Sequence, residues 1–168
     1  MAEDIKAIDI MNYTFYCSPE ERREIYSHPE FMAMWGTTYK GVKTADDAAK
    51  ALGLPSLEAM LKEMDEAGYE KVILTAMKQW SYRATFGHLI ECSLELTREF
   101  VEKGNGKVIG GVGYNPYRIK ESLQDIDKAI KEYGFKYIYF HPASYNFHLD
   151  DTKWYPVYVK ALEYGVPV

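Results

Sequence analysis

Residues 56–77, SLEAMLKEMDEAGYEKVILTAM, contain one complete copy of the pattern that decides the fold. Ser56 is a typical N-cap residue, and Gly68 suits the left-handed position that follows a helix. The run from Lys71 to Met77 is short and mostly apolar, which predicts a buried strand. Between Ser56 and Gly68, apolar side chains recur at helical spacing: Leu57, Met60, Leu61 and Met64.

The same order of helix, glycine and short apolar run recurs along the chain. Further helices are predicted over residues 84–103, over residues 119–133, and from Asp150 or Asp151 to Tyr164. A glycine closes each of them: Gly104 or Gly106, Gly134 and Gly165. Further strands are predicted at residues 5–10, 108–114 and 135–140, with another apolar run opening at 166–168. The chain therefore contains four βα units and the start of a fifth strand.

Strands that alternate with helices predict a parallel sheet with right-handed crossovers. Repeats of this size fit either a (β/α)8 barrel or a doubly wound sheet. The sequence has no G-x-G-x-x-G or Walker motif, which favours the barrel over a nucleotide-binding sheet. A closed barrel needs about 250 residues, and this sequence of 168 ends on the first residues of a strand. We therefore expect residues 1–168 to be the N-terminal portion of a single barrel domain.

A long insertion, residues 14–55, separates the first two predicted strands. Ser18-Pro19-Glu20-Glu21 and Thr44-Ala45-Asp46-Asp47 are both helix-start signals within it, and Gly53 closes the second short helix. An insertion after strand one emerges at the carboxyl-terminal face of a barrel, where active sites lie. It is either a lid over that site or a satellite cluster packed on the barrel rim.

Composition and charge exclude several classes of partner. The formal net charge is -5 and no Lys/Arg cluster occurs, so neither nucleic acid nor an anionic membrane is an expected partner. No apolar run is long enough to span a membrane, and the N-terminus does not resemble a signal peptide. Cys17 and Cys92 form no C-x-x-C motif, which favours reduced thiols and a cytoplasmic location.

The carboxyl ends of the predicted strands supply the candidate site residues. Strand one ends near Asn12 and Tyr13, strand two near Lys78 and Trp80, and strand three near Asn115. These five are predicted to bind a substrate, and Lys78 or one of the nearby arginines, Arg83 and Arg118, would bind its carboxylate. His141, after strand four, is the candidate catalytic residue, because a neutral imidazole serves as a base or a hydrogen-bond donor. The alternatives are surface positions for the cations, an ordinary turn at Asn115 and a strand-end packing role for His141.

Residues 134–142, GFKYIYFHP, resemble the fourth-strand segment of the amidohydrolase-2 family. The resemblance continues from Asp150-Asp151 through Trp154-Tyr155-Pro156-Val157-Tyr158 to Gly165-Val166-Pro167-Val168. That family includes aminocarboxymuconate-semialdehyde decarboxylase-like enzymes, γ-resorcylate decarboxylase and 2-pyrone-4,6-dicarboxylate lactonase. The resemblance implies an α/β fold, a (β/α)8 TIM barrel of amidohydrolase type, with about the first four βα units in this chain.

The resemblance also implies a divalent metal such as zinc, but the first-strand ligands are absent. The family's first strand ends Asp-x-His-x-His, whereas this chain has Asp9-Ile10-Met11-Asn12-Tyr13. Met11 and Tyr13 therefore stand where the two histidines would be. A thioether and a neutral phenol are poor zinc ligands, so no residue of this chain is predicted to hold metal.

The resemblance implies an enzyme that acts on a small carboxylated compound by decarboxylation or hydrolysis. The 15 tyrosines and three tryptophans favour a cyclic or aromatic substrate. The alternative is a non-catalytic barrel descendant that serves as a binding or assembly subunit, as the replaced histidines suggest. A homodimer is a further expectation, because a half-barrel has strand edges that a second copy would cover.

Overall fold

The computed structural model describes residues 6–13, 23, 27–29, 43–51, 56–81 and 87–168. The strands are β1 (Ala7–Tyr13), β2 (Tyr69–Ser81), β3 (Gly87–Cys92), β4 (Val108–Gly113) and β5 (Tyr137–Tyr139). The helices are α1 (Ala45–Ala51), α2 (Leu57–Ala67), α3 (Leu94–Lys103), α4 (Ile119–Lys131), α5 (Pro142–Tyr145) and α6 (Tyr155–Tyr164). A 3₁₀ turn, Thr152–Trp154, precedes α6.

The parallel strands follow one another across the sheet in the order β1-β2-β4-β5. This order does not reverse, as it would in a doubly wound sheet. The backbone N–H of Ile138 donates to the carbonyl oxygen of Pro167 at 3.0 Å, so the residues after α6 begin to pair with β5. The predicted fold class is confirmed: the chain is an α/β half-barrel of parallel strands.

Local signals fixed the ends of the helices as the sequence predicts. Ser56 Oγ accepts a hydrogen bond from the N–H of Ala59 at 3.2 Å and caps α2. Gly68 follows that helix with a φ of 78°, where a side chain would be strained. In the same way, Thr44 Oγ1 accepts from the N–H of Asp47 at 3.1 Å at the start of α1.

The prediction of one helix over residues 84–103 is wrong in its first half. Residues Gly87–Cys92 form β3, which pairs antiparallel with the end of β2, and α3 begins only after Ser93. Accordingly β2 continues to Ser81, beyond the predicted strand end at Met77. Backbone pairing between the two extended segments satisfies their N–H and C=O groups and overrides the local helical pattern.

The two faces of the parallel sheet have different roles. The outward face packs on the helices, with Leu74, Val112 and Ile138 almost fully buried. The opposite, concave face is lined in register by β1, β2, β4 and β5 through Tyr13, Thr75, Gly111 and Tyr137. Side chains alternate between faces along a strand, so Tyr139 also lies on the concave face.

The insertion predicted over residues 14–55 lies mostly outside the described residues, and so does Cys17. Its lid or packing role therefore stays a prediction. Of its two predicted helices, only the second, α1, falls within the described part of the chain. None of the described helices is long and apolar enough to cross a membrane.

Candidate active site

A cavity of about 440 Å³ opens at the carboxyl ends of the parallel strands. Its walls include residues 76–78 of β2, residues 112–115 at the end of β4 and residues 139–141 at the end of β5. Residues 91–92 of β3 and the first turns of α4 complete them. Active sites of barrel enzymes lie at this end of the strands. The cavity brings together three of the predicted site residues, Lys78, Asn115 and His141, and also Arg118, one of the two arginines considered for the substrate carboxylate.

The imidazole of His141 is fixed by the short helix that follows it. His141 Nδ1 lies 2.7 Å from the hydroxyl of Ser144, and the N–H of Ser144 donates to the carbonyl oxygen of His141 at 3.1 Å. The ring is half-buried, and burial lowers its pKa below the ordinary value because the charged form loses hydration. His141 is therefore a neutral, oriented imidazole in the wall of the cavity.

Asn115 is held by local hydrogen bonds at the end of β4. Its N–H donates to Ser122 Oγ at 3.0 Å, and its own Oδ1 accepts from the N–H of Tyr117 at 2.9 Å. This is an Asx turn, and it leads the chain into α4. Beside it, the Tyr114 hydroxyl donates to the carbonyl oxygen of Lys153 at 2.8 Å. Burial raises the pKa of Tyr114 to about 12, so this phenol stays protonated at neutral pH.

A charged wall of the cavity surrounds Lys78. Its Nζ lies 3.5 Å from Glu121 Oε1 and 3.9 Å from Glu91 Oε1, and Arg118 lies 3.6 Å from the other oxygen of Glu121. These distances exceed the 2.7–2.9 Å of a strong charged hydrogen bond. Glu121 thus links the two cations that were predicted to bind a carboxylate.

The cavity also includes Asp125, a residue that the sequence reasoning missed. Its carboxyl group is half-buried, and burial raises its pKa, although the nearby Lys78 acts in the opposite direction. The available signal was its spacing of one helical turn from Glu121, near the start of the helix that follows β4. A carboxyl group with a raised pKa in a cavity is a candidate proton donor.

Asn12 is not among the described residues that line the cavity. Asn12 bonds locally: its Nδ2 donates to Asp9 Oδ2 at 3.3 Å, and its Oδ1 accepts from the N–H of Tyr13 at 2.8 Å. Trp80 lies on β2 opposite His88, and its side chain falls outside the described part of the chain. Arg83 is likewise outside the described residues.

Tyr13 meets Tyr139 across the concave face. The Tyr13 hydroxyl donates to the Tyr139 oxygen at 2.9 Å, and the two rings make an edge contact with centroids 5.9 Å apart. Tyr139 is one of the residues that line the cavity, and Tyr13 is not among the described residues that line it. Burial, above all, raises the pKa of Tyr13 well beyond its usual range, so its proton is firmly held.

These donors do not fit the divalent metal that the family resemblance implies. Tyr13 occupies the position of the second family histidine as a neutral phenol that is already bonded to another phenol. A neutral phenol is a weak ligand for a divalent ion, and tyrosine binds such an ion well only after it loses its proton. Among the residues that the structure describes, no three His, Cys, Asp or Glu side chains form a group that could hold a metal ion.

Comparison with known proteins supports the architecture. No family model and no curated protein matches the sequence. Among solved structures, the chain is similar to 5-carboxyvanillate decarboxylase from Novosphingobium aromaticivorans, complexed with manganese and 4-hydroxy-3-methoxy-5-nitrobenzoic acid (TM-score 0.66, 18% identity, 99% of this chain and 50% of that one). It is also similar to an uncharacterised TIM-barrel protein from Bordetella bronchiseptica (TM-score 0.62, 20% identity, 98% and 54%).

A third similar structure is 4-oxalomesaconate hydratase from Rhodopseudomonas palustris (TM-score 0.57, 25% identity, 95% of this chain and 50% of that one). The chain thus spans about half the length of each of these proteins. Nearly all of this chain aligns with half of a larger fold in each case. The likeness therefore agrees with the half-barrel that the strand order shows.

Proposed function

We propose that this chain belongs to an amidohydrolase-like enzyme that acts on a small carboxylated compound, cyclic or aromatic. The reaction is decarboxylation, and hydrolysis is the alternative. One observation carries the proposal. Lys78, Asn115 and His141, from three different strand ends, line one cavity at the carboxyl end of the parallel strands. Fold likeness to a decarboxylase supports the first of these two reactions.

The cavity suits a flat ring in size and in lining. Its volume of about 440 Å³ lies within the ordinary range for small-molecule sites. Tyr114, Tyr139, Phe140 and Tyr145 contribute aromatic side chains to its walls. Rings stack or make edge contacts with other rings, so such walls favour a cyclic substrate over a linear one.

Lys78 and Arg118 would hold the substrate carboxylate. The long contacts from Lys78 to Glu91 and Glu121 leave its ammonium donors short of strong hydrogen bonds. An incoming carboxylate oxygen at hydrogen-bond distance would therefore compete well with the two glutamates. The same negative side chains would repel a carboxylate placed away from the cations, which fixes the orientation of the ring.

In decarboxylation, the bond between the ring carbon and the carboxylate carbon breaks. Carbon dioxide leaves, and the bonding electron pair stays on the ring carbon, which then takes up a proton. Asp125 is the proposed source of that proton, because burial raises the pKa of its carboxyl group. His141, kept neutral by burial and fixed by Ser144, orients the ring through a hydrogen bond.

The proposal is tested by incubating the full-length protein with a panel of carboxylated aromatic and cyclic acids while carbon dioxide release and product mass are followed. Decarboxylation yields carbon dioxide, and hydrolysis yields a product heavier by one water. We expect His141→Ala to reduce turnover by about 100-fold or more, the usual range for an acid–base or orienting group. His148→Ala is the matched control, because that histidine is exposed and lies outside the cavity wall.

A specific observation favours the second function, a non-catalytic binding or assembly subunit. The Tyr13–Tyr139 hydrogen bond occupies the end of β1, where the resembled family carries its metal-binding histidines. Tight binding of a panel compound without any turnover would support this reading over the enzyme. Turnover that His141→Ala abolishes and His148→Ala preserves would contradict it.

A further inference from the structure

We infer that the carboxyl end of β1 does not hold a divalent ion in this protein, and that a direct contact between Tyr13 and Tyr139 joins β1 to β5 in its place. This role goes beyond the proposed function and does not depend on it. Three features of the described residues support it: a bulge in β1, the hydrogen-bond partners of Asp9 and Tyr13, and the width of sheet that the contact crosses.

β1 contains a one-residue bulge shortly before its end. Asp9 is aligned with Val72 of β2, and Asn12 is aligned with Leu74. β1 therefore takes three steps where β2 takes two. An extra residue of this kind shifts the alternation of side chains by one position, so the residues after it point to the face opposite the one they would otherwise occupy.

The bulge places Tyr13 on the concave face and leaves Asp9 on the other. Tyr13 is aligned with Thr75, a concave-face residue, whereas without the bulge it would be aligned with Ala76, which packs under the helices. Asp9 is aligned with Val72, whose side chain also packs under the helices. A metal ion needs ligands that converge on one point. The carboxylate and the phenol of this segment do not converge.

Both side chains also have partners within the protein. Asp9 Oδ2 accepts a hydrogen bond from Asn12 Nδ2 at 3.3 Å, within β1 itself. The hydroxyl oxygens of Tyr13 and Tyr139 lie 2.9 Å apart, so one of the two protons occupies the bond between them. Burial holds the pKa of Tyr13 well above its usual range, whereas a phenol binds a divalent ion well only after it loses its proton.

The contact crosses the concave face of the sheet, because β2 and β4 lie between β1 and β5. Glycines on β4 leave room for it. At Gly111 an added Cβ would lie 2.7 Å from Cδ1 of Tyr137, and at Gly113 it would lie 2.6 Å from the Cβ of Met77. Gly113 is aligned with Tyr139, so the two outer phenols meet above strand positions that have no side chain. The pair thus ties together two strands that are not neighbours in the sheet.

A double-mutant cycle on the full-length protein, followed by thermal unfolding, tests the tie. Tyr13→Phe and Tyr139→Phe should each lower the Tm by about 4 °C, because each removes the same hydrogen bond. The double variant should lose about as much as either single variant, since both substitutions break one bond. Phenylalanine retains the two rings and their edge contact.

Tyr137→Phe is the matched control. It removes a hydroxyl from the same strand and the same face, and its ring is 6.3 Å from that of Tyr139. Its effect on the Tm should add to that of Tyr13→Phe. If the losses of Tyr13→Phe and Tyr139→Phe also add in their double variant, the two hydroxyls act independently and the tie is overturned.

Titration of manganese chloride or zinc chloride into the chelator-treated full-length protein tests the end of β1 for ion binding. We expect no ultraviolet difference signal of tyrosinate with either ion. An ion at a hundred times its Kd raises the Tm by about 5–10 °C. Any such rise should be equally large in the wild type, in Tyr13→Phe and in Asp9→Asn, because β1 would not supply the ligands.

A tyrosinate signal, or a rise in Tm that either of these two variants abolishes, would overturn the inference by placing the ion at the end of β1. A rise that persists in both variants supports it, because the ion then binds elsewhere in the protein. Turnover of the carboxylated panel compounds, or its absence, bears on the proposed function alone.

Discussion

Gly110→Ala should destabilise the folded protein by about 3 kcal/mol, at the upper end of the range for overpacked cores. A Cβ on Gly110 would lie 2.2 Å from Cδ1 and 2.5 Å from Cε1 of Phe135, where ordinary contacts begin at 3.4 Å. The ring would have to move by about 1.2 Å, and it is completely buried between β4 and α4 with no exposed surface.

Urea unfolding followed by far-ultraviolet circular dichroism measures the effect as a free energy of unfolding. Phe135→Ala removes all three ring atoms that clash, Cγ, Cδ1 and Cε1, so in that background Gly110→Ala should cost less than about 1 kcal/mol, a coupling of about 2 kcal/mol. Gly68→Ala is the control. Its φ is 78° with nothing within 4 Å of an added Cβ, so it should cost about 1–2 kcal/mol in both backgrounds. Equal penalties for Gly110→Ala with and without Phe135 would refute the reasoning.

The other predictions concern a helix cap, a titration and the charged wall. Ser56→Ala should lower the free energy of unfolding by about 1 kcal/mol, and a change below about 0.3 kcal/mol in the same urea titration would contradict the cap. Burial lowers the pKa of His141, so the imidazole binds a proton more readily in the unfolded chain than in the folded one. The free energy of unfolding therefore falls as the pH drops below 6.5. His141→Gln should reduce that fall in urea titrations between pH 7 and pH 5. Lys78→Met should raise the KM for a carboxylated substrate about 10-fold. Lys103→Met, on the exposed face of α3, should leave that KM unchanged. If Lys78→Met has the same KM as the wild type, Lys78 does not bind the carboxylate.

The candidate site was predicted in part. The carboxyl ends of parallel strands meet at one face of the fold, so the positions of Lys78, Asn115 and His141 in the sequence are enough to predict that they lie at the same end. Asp125 is not predicted as a site residue, because the sequence of its helix has an ordinary amphipathic pattern. Only the packing of α4 beside Lys78 shows that the carboxyl group of Asp125 is half-buried. The catalytic role of His141 and the substrate-binding roles of Asn12, Tyr13, Lys78, Trp80 and Asn115 stay predictions.

The sequence by itself determined the features that depend on neighbours along the chain. Helix periodicity, the Ser56 cap and the glycine after each helix act within a few residues, and their repetition predicted a parallel α/β fold. A barrel and a doubly wound sheet share that local pattern, so only the order of the strands in the sheet distinguishes them. Only the tertiary structure decided that residues 87–92 form a strand and that Tyr13 reaches Tyr139, 126 residues away. Such contacts depend on which distant segments pair, and the hydrophobic periodicity within one segment does not indicate its distant partner.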